Sequence, residues 1–417
     1  MKIGFYGLTH LGIINAMTAA SKGNSVVAFD SSSQVISNIQ QGEFLISEKD
    51  LAKYFSETRE NIFWTSNQQD LGTCDLIYIT LDVSTKVDGD RDETEIYSAI
   101  NNCLNLAKAG TTLVVQSQVL PGTCRKFYAL AMKNDVKLFY QVETLVFGEA
   151  FEKSLNPERF VVGMHEEMVL STIYDEYLSQ FDCPTLKMNY ESAEFTKISI
   201  NMYLIASIVI SDLLSNIAGT IDANWSNISM GIKLDRRIGK YGYHQPSLGI
   251  NGLNLIRDLK VVQKLQGSSF NAGKKFLETI ENISDSRRTW IYDQLIELKL
   301  KKSSSVLLCG LAYKYGTNSV ANSSSNYAYL KLKSLGQKIT YFDQYVSSSL
   351  LQGNSAISLE SAIKESKVIV ITQDTDAYNY SLESMSTDER VKKIVLDPFG
   401  KCSHLEGKFL LYRTLAN

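Results

Sequence analysis

The chain lacks any CxxC pair. Its six cysteines, Cys74, Cys103, Cys124, Cys183, Cys309 and Cys402, are scattered, without the spacing of a metal-ligand set. No metal site is expected, and the thiols read as the reduced cysteines of a cytoplasmic protein rather than a disulfide frame. A long hydrophobic run is also missing. The most apolar stretch, Tyr203 to Ile210, is far short of the roughly 20 residues that span a bilayer, so it reads as a core helix and no membrane partner is expected. Charge of one sign is lacking too. Lys and Arg number 42 against 45 Asp and Glu, a net −3, which implies no broad surface for nucleic acid. The N-terminal MKIGFYG runs directly into an apolar strand and has no signal-peptide pattern.

What is present is a globular composition, 44% hydrophobic and 21% charged, over 417 residues. That length calls for two or three domains. Residues 2–6 form a short apolar strand followed by a glycine turn and a helical pattern. Val26 to Asp30, Leu76 to Leu81 and Thr112 to Gln116 continue the alternation. Val306 to Cys309, Lys338 to Phe342, Val368 to Thr372 and Lys393 to Asp397 resume it near the C-terminus. Strands separated by helices imply parallel sheets covered on both faces. Between the halves, residues 193–296 show helical periodicity and almost no strand signal. The expected fold is α/β, with two Rossmann-like parallel-sheet domains (1–190 and 301–417) joined by a central helical domain (191–300). The two α/β halves share an architecture, but no residue-level repeat is visible.

The first strand leads into Gly7-Leu8-Thr9-His10-Leu11-Gly12. A dinucleotide fingerprint has glycine at the first, third and sixth places, and here Thr9 holds the third. A side chain there takes up space beside a pyrophosphate, although its hydroxyl is able to meet a phosphate. The helix behind the turn still favours an anion at its N-terminus. Asp30 ends the second strand at the distance expected of an acid that binds ribose hydroxyls. Ser31, Ser32 and Ser33 follow it, with no basic residue for a 2′-phosphate, so NAD is the expected cofactor rather than NADP.

Pro246 to Asp258 reads PSLGINGLNLIRD. It resembles the active-site signature of the UDP-glucose and GDP-mannose dehydrogenases, the nucleotide-sugar 6-dehydrogenases, through Pro246, Gly249, Gly252 and Asp258. Other landmarks follow that family's order: SQVLPGT at 117–123, ETLVFGEAFEKSLNPERFVVG at 143–163, AEFTKISIN at 193–201, DRRIG at 235–239 and GLAYK at 310–314. The resemblance covers almost the whole chain. It implies a nucleotide-sugar substrate, most simply a UDP-sugar, and a homodimer with the helix near 196–217 in the interface.

The resemblance also assigns roles. Lys197 and Asn201 match the lysine and asparagine that stabilise an oxyanion as a hydride leaves, and four residues apart they share a helix face. Asp258 matches the aspartate that helps water act as a base, and Glu143 the first glutamate of the family's PEF-L-RE segment. On the substrate side stand Gly252, Lys314 of GLAYK and Arg237 of DRRIG, whose counterpart contacts the sugar nucleotide of the neighbouring subunit. Gly7, Thr9, Gly12, Asp30 and Gln118 form the cofactor side. Departures are equally specific. Asn254 replaces the catalytic cysteine, Arg257 the adjoining lysine, Phe147 the second glutamate, Gln118 the threonine of STVP, Val83-Ser84 the threonine–proline pair near the nicotinamide, and Ala321 a bridging arginine. An amide has no ionisable nucleophile, so the covalent half of the family's reaction lacks its chemistry. Two functions stay open: an NAD-linked nucleotide-sugar oxidoreductase with altered chemistry, or an inactive nucleotide-sugar-binding partner or regulator in polysaccharide synthesis.

Overall fold

The computed structural model describes residues 1–46, 48–85, 91–266, 270–346, 355–356, 358–373, 375–400 and 402–415. Two compact units divide it, Met1–Ile200 and Asn201–Asn417.

In the first unit, most strands are apolar runs of four or five residues bounded by a turn or a helix start. They are β1 (Lys2–Tyr6), β2 (Ser25–Phe29), β3 (Ile62–Thr65), β4 (Leu76–Ile79), the short pair β5 (Ser84–Thr85) and β6 (Arg91–Asp92), β7 (Thr112–Val115), β8 (Lys137–Gln141), β9 (Phe160–Met164) and β10 (Thr185–Asn189). Eight of them form one sheet in the order β10-β9-β8-β7-β4-β1-β2-β3. All neighbours are parallel except β8 and β9, which are antiparallel, so the sheet is mixed rather than wholly parallel. Helices α1 (His10–Ser21), α2 (Ser33–Gln40), α3 (Leu51–Thr58), α4 (Thr94–Leu106), α5 (Thr123–Lys133), α6 (Ala150–Leu155) and α7 (Thr172–Leu178) connect the strands. The order reverses between β1 and β4. In open α/β sheets that reversal opens the ligand crevice at the carboxyl ends of the strands.

Helix α8 (Tyr190–Thr220) runs for 31 residues. By length and composition it is apolar enough to cross a membrane, although the Tyr203–Ile210 run alone is too short. That run is not a core helix on every side. Ile205 and Val209 are buried, whereas Tyr203 is 82% exposed and Ile210 half-exposed. Asp212, Ser211 and Ser215 are buried on α8 as well.

The second unit continues with α9 (Trp225–Leu234), α10 (Asn254–Leu265) and α11 (Asn271–Glu297). A parallel sheet follows in the order β12-β11-β13-β14-β15, from β11 (Val306–Cys309), β12 (Ile339–Phe342), β13 (Val368–Ile371), β14 (Ile394–Leu396) and β15 (Leu411–Arg413). Its helices are α12 (Ser324–Ser334), α13 (Leu359–Glu365), α14 (Asp376–Glu383) and α15 (Thr387–Arg390).

Contrary to the sequence reading, the two sheets repeat a pattern of residues at their strand ends. Gly7 after β1 and Gly310 after β11 both have positive φ, 98° and 104°. Asp30 after β2 accepts the Leu8 N–H at 3.0 Å, and Asp343 after β12 accepts the Leu311 N–H at 2.7 Å. Thr80 after β4 donates its hydroxyl to the carbonyls of Tyr6 and Gly7; Thr372 after β13 donates to those of Cys309 and Gly310. Each crevice is therefore closed by the same glycine–aspartate–threonine clasp.

Candidate active site

Gly7, Thr9, Gly12 and Asp30 lie at the first clasp, and Gln118 lies apart from it. A Cβ on Gly12 would lie 1.9 Å from the Gly7 carbonyl oxygen, so only glycine lets α1 start this close to the turn. Asp30 accepts Leu8 N–H on one carboxylate oxygen and Ser32 N–H on the other, each at 3.0 Å. Thr9 donates its hydroxyl to the Thr80 carbonyl at 2.8 Å. That bond folds the side chain back toward the end of β4. No acidic residue lies in the first turn of α1. A helix start behind a glycine turn, with an acid at the end of the second strand, fits the pyrophosphate and ribose of a dinucleotide.

Gln118 lies in the turn after β7, and an ion pair that the sequence reading missed holds this turn. Arg91 Nε meets Glu93 Oε1 at 3.1 Å, and both side chains are nearly inaccessible. Arg91 donates to the Gln118 carbonyl, while Glu93 accepts the Leu120 N–H at 3.0 Å. Nothing in the motif spacing signals this clamp.

Glu143 and Lys197 form an ion pair at 2.9 Å in the first unit. Glu143 also accepts the N–H of Leu145. One turn before Lys197 on α8, buried Glu194 accepts the N–H groups of Gly122 and of Cys124 (2.8 Å) at the start of α5. Burial pushes Glu194 up to about 7, against the pull of those two hydrogen bonds.

In the second unit, Asn201 Nδ2 donates to Asp258 Oδ2 at 2.5 Å, and both side chains are buried. Asn254 is the first residue of α10, and its carbonyl oxygen accepts Arg257 Nη2 at 3.1 Å. Gly252 lies on the ring of Tyr313, where a Cβ would come within 3.1 Å of it. Asn322 Nδ2 donates to the Ile250 carbonyl at 2.6 Å, and Ser324 Oγ to that of Leu248 at 2.7 Å. These bonds hold the 246–252 loop to the segment that follows β11. Ser247 is fixed in turn by buried Asp212, which accepts its N–H (2.6 Å) and hydroxyl (2.9 Å). Burial pushes Asp212 up to about 6, partly offset by the Ser247 bond and nearby Arg287.

Lys314 is exposed in the turn beyond β11. Arg237 is almost fully exposed and bonds to Asp235 two residues away. The cysteines offer no obvious substitute for Asn254: burial raises the thiols of Cys74, Cys103, Cys124 and Cys309, which disfavours the nucleophilic thiolate. Among the described residues, no group of three His, Cys, Asp or Glu is arranged to hold a metal.

Two Rossmann-like sheets, a glycine turn with an acid at the end of the second strand and a second glycine turn beside a signature loop define an NAD-dependent nucleotide-sugar dehydrogenase. Three domain models match in order: the NAD-binding domain of the UDP-glucose/GDP-mannose dehydrogenase family over residues 1–179, its central domain over 191–286 and its UDP-binding domain over 307–403. The chain belongs to that family. It is 25% identical over 390 residues to the UDP-glucose 6-dehydrogenase of Rickettsia bellii, covering 90% of this chain and 89% of that one. It is 26% identical over 388 residues to UDP-glucose 6-dehydrogenase TuaD of Bacillus subtilis, covering 90% and 82%. The fold is similar to that of UDP-D-ManNAc dehydrogenase from Pyrococcus horikoshii, with TM-score 0.85, 20% identity and 100% and 99% coverage. It is also similar to a UDP-glucose dehydrogenase from Pyrobaculum islandicum, with TM-score 0.86, 19% identity and 100% and 97% coverage.

The two raised carboxyls predict a pH dependence. Each binds its proton more tightly folded than unfolded, from ordinary values of 4.5 for Glu194 and 3.8 for Asp212. Their contributions are complete below those ordinary values and are lost as pH rises to about 7 and about 6 respectively. Thermal melts across this window should show the parent losing more stability with rising pH than Glu194→Gln combined with Asp212→Asn. Identical pH profiles would refute the assignment.

Proposed function

We propose that this protein is an NAD-linked UDP-sugar oxidoreductase that removes one hydride and stops at a carbonyl. The observation that carries the reading is Asn254, tied to Arg257 at 3.1 Å, where the family signature has its cysteine. The groups suited to hydride loss remain. Lys197 and Asn201 stand one turn apart on α8, an ammonium and an amide suited to negative charge developing on the sugar oxygen. Asp258 orients the Asn201 amide and helps a water take the alcohol proton. Glu143 positions Lys197 through their 2.9 Å pair. Gly7, Thr9, Gly12, Asp30 and Gln118 hold the cofactor. When bound, NAD supplies acceptance of the hydride. Arg237, Gly252 and Lys314 serve the nucleotide sugar, with Lys314 as a point charge for the diphosphate.

The same reading divides the chain at about residues 190 and 300 and places it in the cytoplasm as a homodimer acting in polysaccharide synthesis. A stripe of exposed apolar side chains supports self-pairing: Tyr203, Ile210, Leu214, Ile217 and Ile221 recur at helical spacing along α8 and just past it. Sedimentation velocity should show a dimer that Ile217→Asp weakens. A parent that stays monomeric at micromolar concentration contradicts the pairing.

The activity is tested by NADH absorbance with a panel of UDP-hexoses, GDP-hexoses and their N-acetyl forms. A UDP-sugar should give NADH. Lys197→Ala should lower kcat by about 100-fold or more, the scale of losing one oxyanion donor. Lys314→Ala should weaken UDP-sugar affinity in calorimetry. Binding of a UDP-sugar without NADH from any substrate would favour the inactive partner instead.

A further inference from the structure

Three separate stretches meet at the start of α1. His10 is the first residue of the helix, and its Nε2 lies 2.7 Å from Glu48 Oε1. The Glu48 side chain is only 1% exposed. Its carboxylate also accepts the Gly148 N–H, at 2.9 and 3.1 Å to its two oxygens, and the Ala150 N–H at 3.4 Å. Phe147 stacks on the His10 ring, with centroids 4.3 Å apart and planes at 29°. Burial raises the Glu48 carboxyl, but the bonds from His10 and Gly148 outweigh it and bring the group below its ordinary range. A buried carboxylate is costly unless its hydrogen bonds are met, so its partners are held firmly in place.

A second link joins the same elements further along α1. Ser154 of α6 donates to Asn15 Oδ1 at 2.8 Å, and Asn15 Nδ2 donates to Gln116 Oε1 at 3.2 Å. Gln116 adjoins the turn that carries Gln118. One helix therefore anchors three things: the glycine turn through its own start, the 116–118 turn through Asn15, and the 147–154 segment through His10 and Asn15. Glu143, the partner of Lys197, lies four residues before Phe147.

We propose that His10 and Glu48 are positioning residues that couple the cofactor turn to the 143–150 segment. The inference rests on the cofactor reading above. A ligand that orders the first turn of α1 orders His10; through Glu48 it then orders Gly148 and Ala150, and with them the segment that carries Glu143. The effect is reciprocal, because coupling between two binding events is the same in either direction. Phe147, standing where the family has its second glutamate, packs on this latch. The segment has exchanged a water-activating group for a contact with the cofactor helix.

The test is hydrogen exchange on the full chain, with and without saturating NAD, in the parent, Glu48→Gln, Glu48→Ala and His10→Ala. In the parent, NAD should slow exchange in peptides covering 7–14, and by about 5-fold or more in those covering 143–150, the lower range of site-to-site coupling. Glu48→Ala and His10→Ala should keep protection at 7–14 and lose most of it at 143–150. Glu48→Gln, which retains one acceptor oxygen, should fall between. A purely structural role would lower the melting temperature of the variants and leave the pattern of NAD-dependent protection unchanged. Equal protection at 143–150 in the parent and in every folded variant overturns the coupling. So does a parent protected at 7–14 alone. No protection at 7–14 in the parent sinks the cofactor reading and the coupling together. His10→Ala keeps the test decisive should Glu48→Ala not fold, since alanine suits a first helical turn.

Discussion

A carboxylate that accepts the N–H groups of a glycine turn is the interaction on which the first turn of each sheet depends. Asp30 bonds to Leu8 and Ser32. Asp343 bonds to Leu311, Ala312, Tyr345 and Val346. Backbone donors of this kind are expensive to leave unmet when buried, so each turn is fixed in one conformation by one side chain. The clasps also differ. Asp30 meets two N–H groups and Asp343 meets four, with Gln373 packed against Gly310 beside it. The first turn thus leaves its acid more hydrogen-bonding capacity for a ribose, while the second is closed by protein groups.

The chemistry divides along the same lines as the substitutions. The groups proposed to stabilise charge form bonded pairs, Lys197 with Glu143 and Asn201 with Asp258. Groups that would form and hydrolyse a covalent intermediate are replaced by residues with positions of their own. Asn254 is held by Arg257, and Phe147 is stacked on His10. A thiolate attacks a carbonyl; an amide whose oxygen already accepts a guanidinium does not. Reversing one substitution leaves the others in place, and members of a catalytic unit act non-additively.

Much of the framework was legible because apolar runs between turns state their own structure. Lys2–Tyr6 and Val306–Cys309 lie where the sequence puts them, and the other predicted strands shift by only one or two residues at their ends. Strands β3, β5, β6, β8, β9, β10 and β15 were not read. Thr185–Asn189 shows why: it is an edge strand with three of its five residues exposed and no continuous apolar run. The repeat between the sheets escaped notice because it rests on three residue types at unequal spacing. Glycine to aspartate is 23 residues in one half (7 to 30) and 33 in the other (310 to 343). The resemblance named Glu143, Lys197, Asn201 and Asp258 singly, and the contacts Lys197–Glu143 and Asn201–Asp258 come from the structure. The pairs Arg91–Glu93 and His10–Glu48 were not read, because the groups they hold lie far away along the chain and no local pattern announces them.

The central claim is that oxidation stops after one hydride. It is tested most directly by counting NADH formed per molecule of UDP-sugar consumed, with the product identified by mass spectrometry. The account predicts one NADH per sugar and a product two hydrogens lighter than the substrate, as carbonyl or hydrate. Two NADH per sugar together with a uronic acid product would show that the chain completes the four-electron reaction without a cysteine at position 254, and would contradict it.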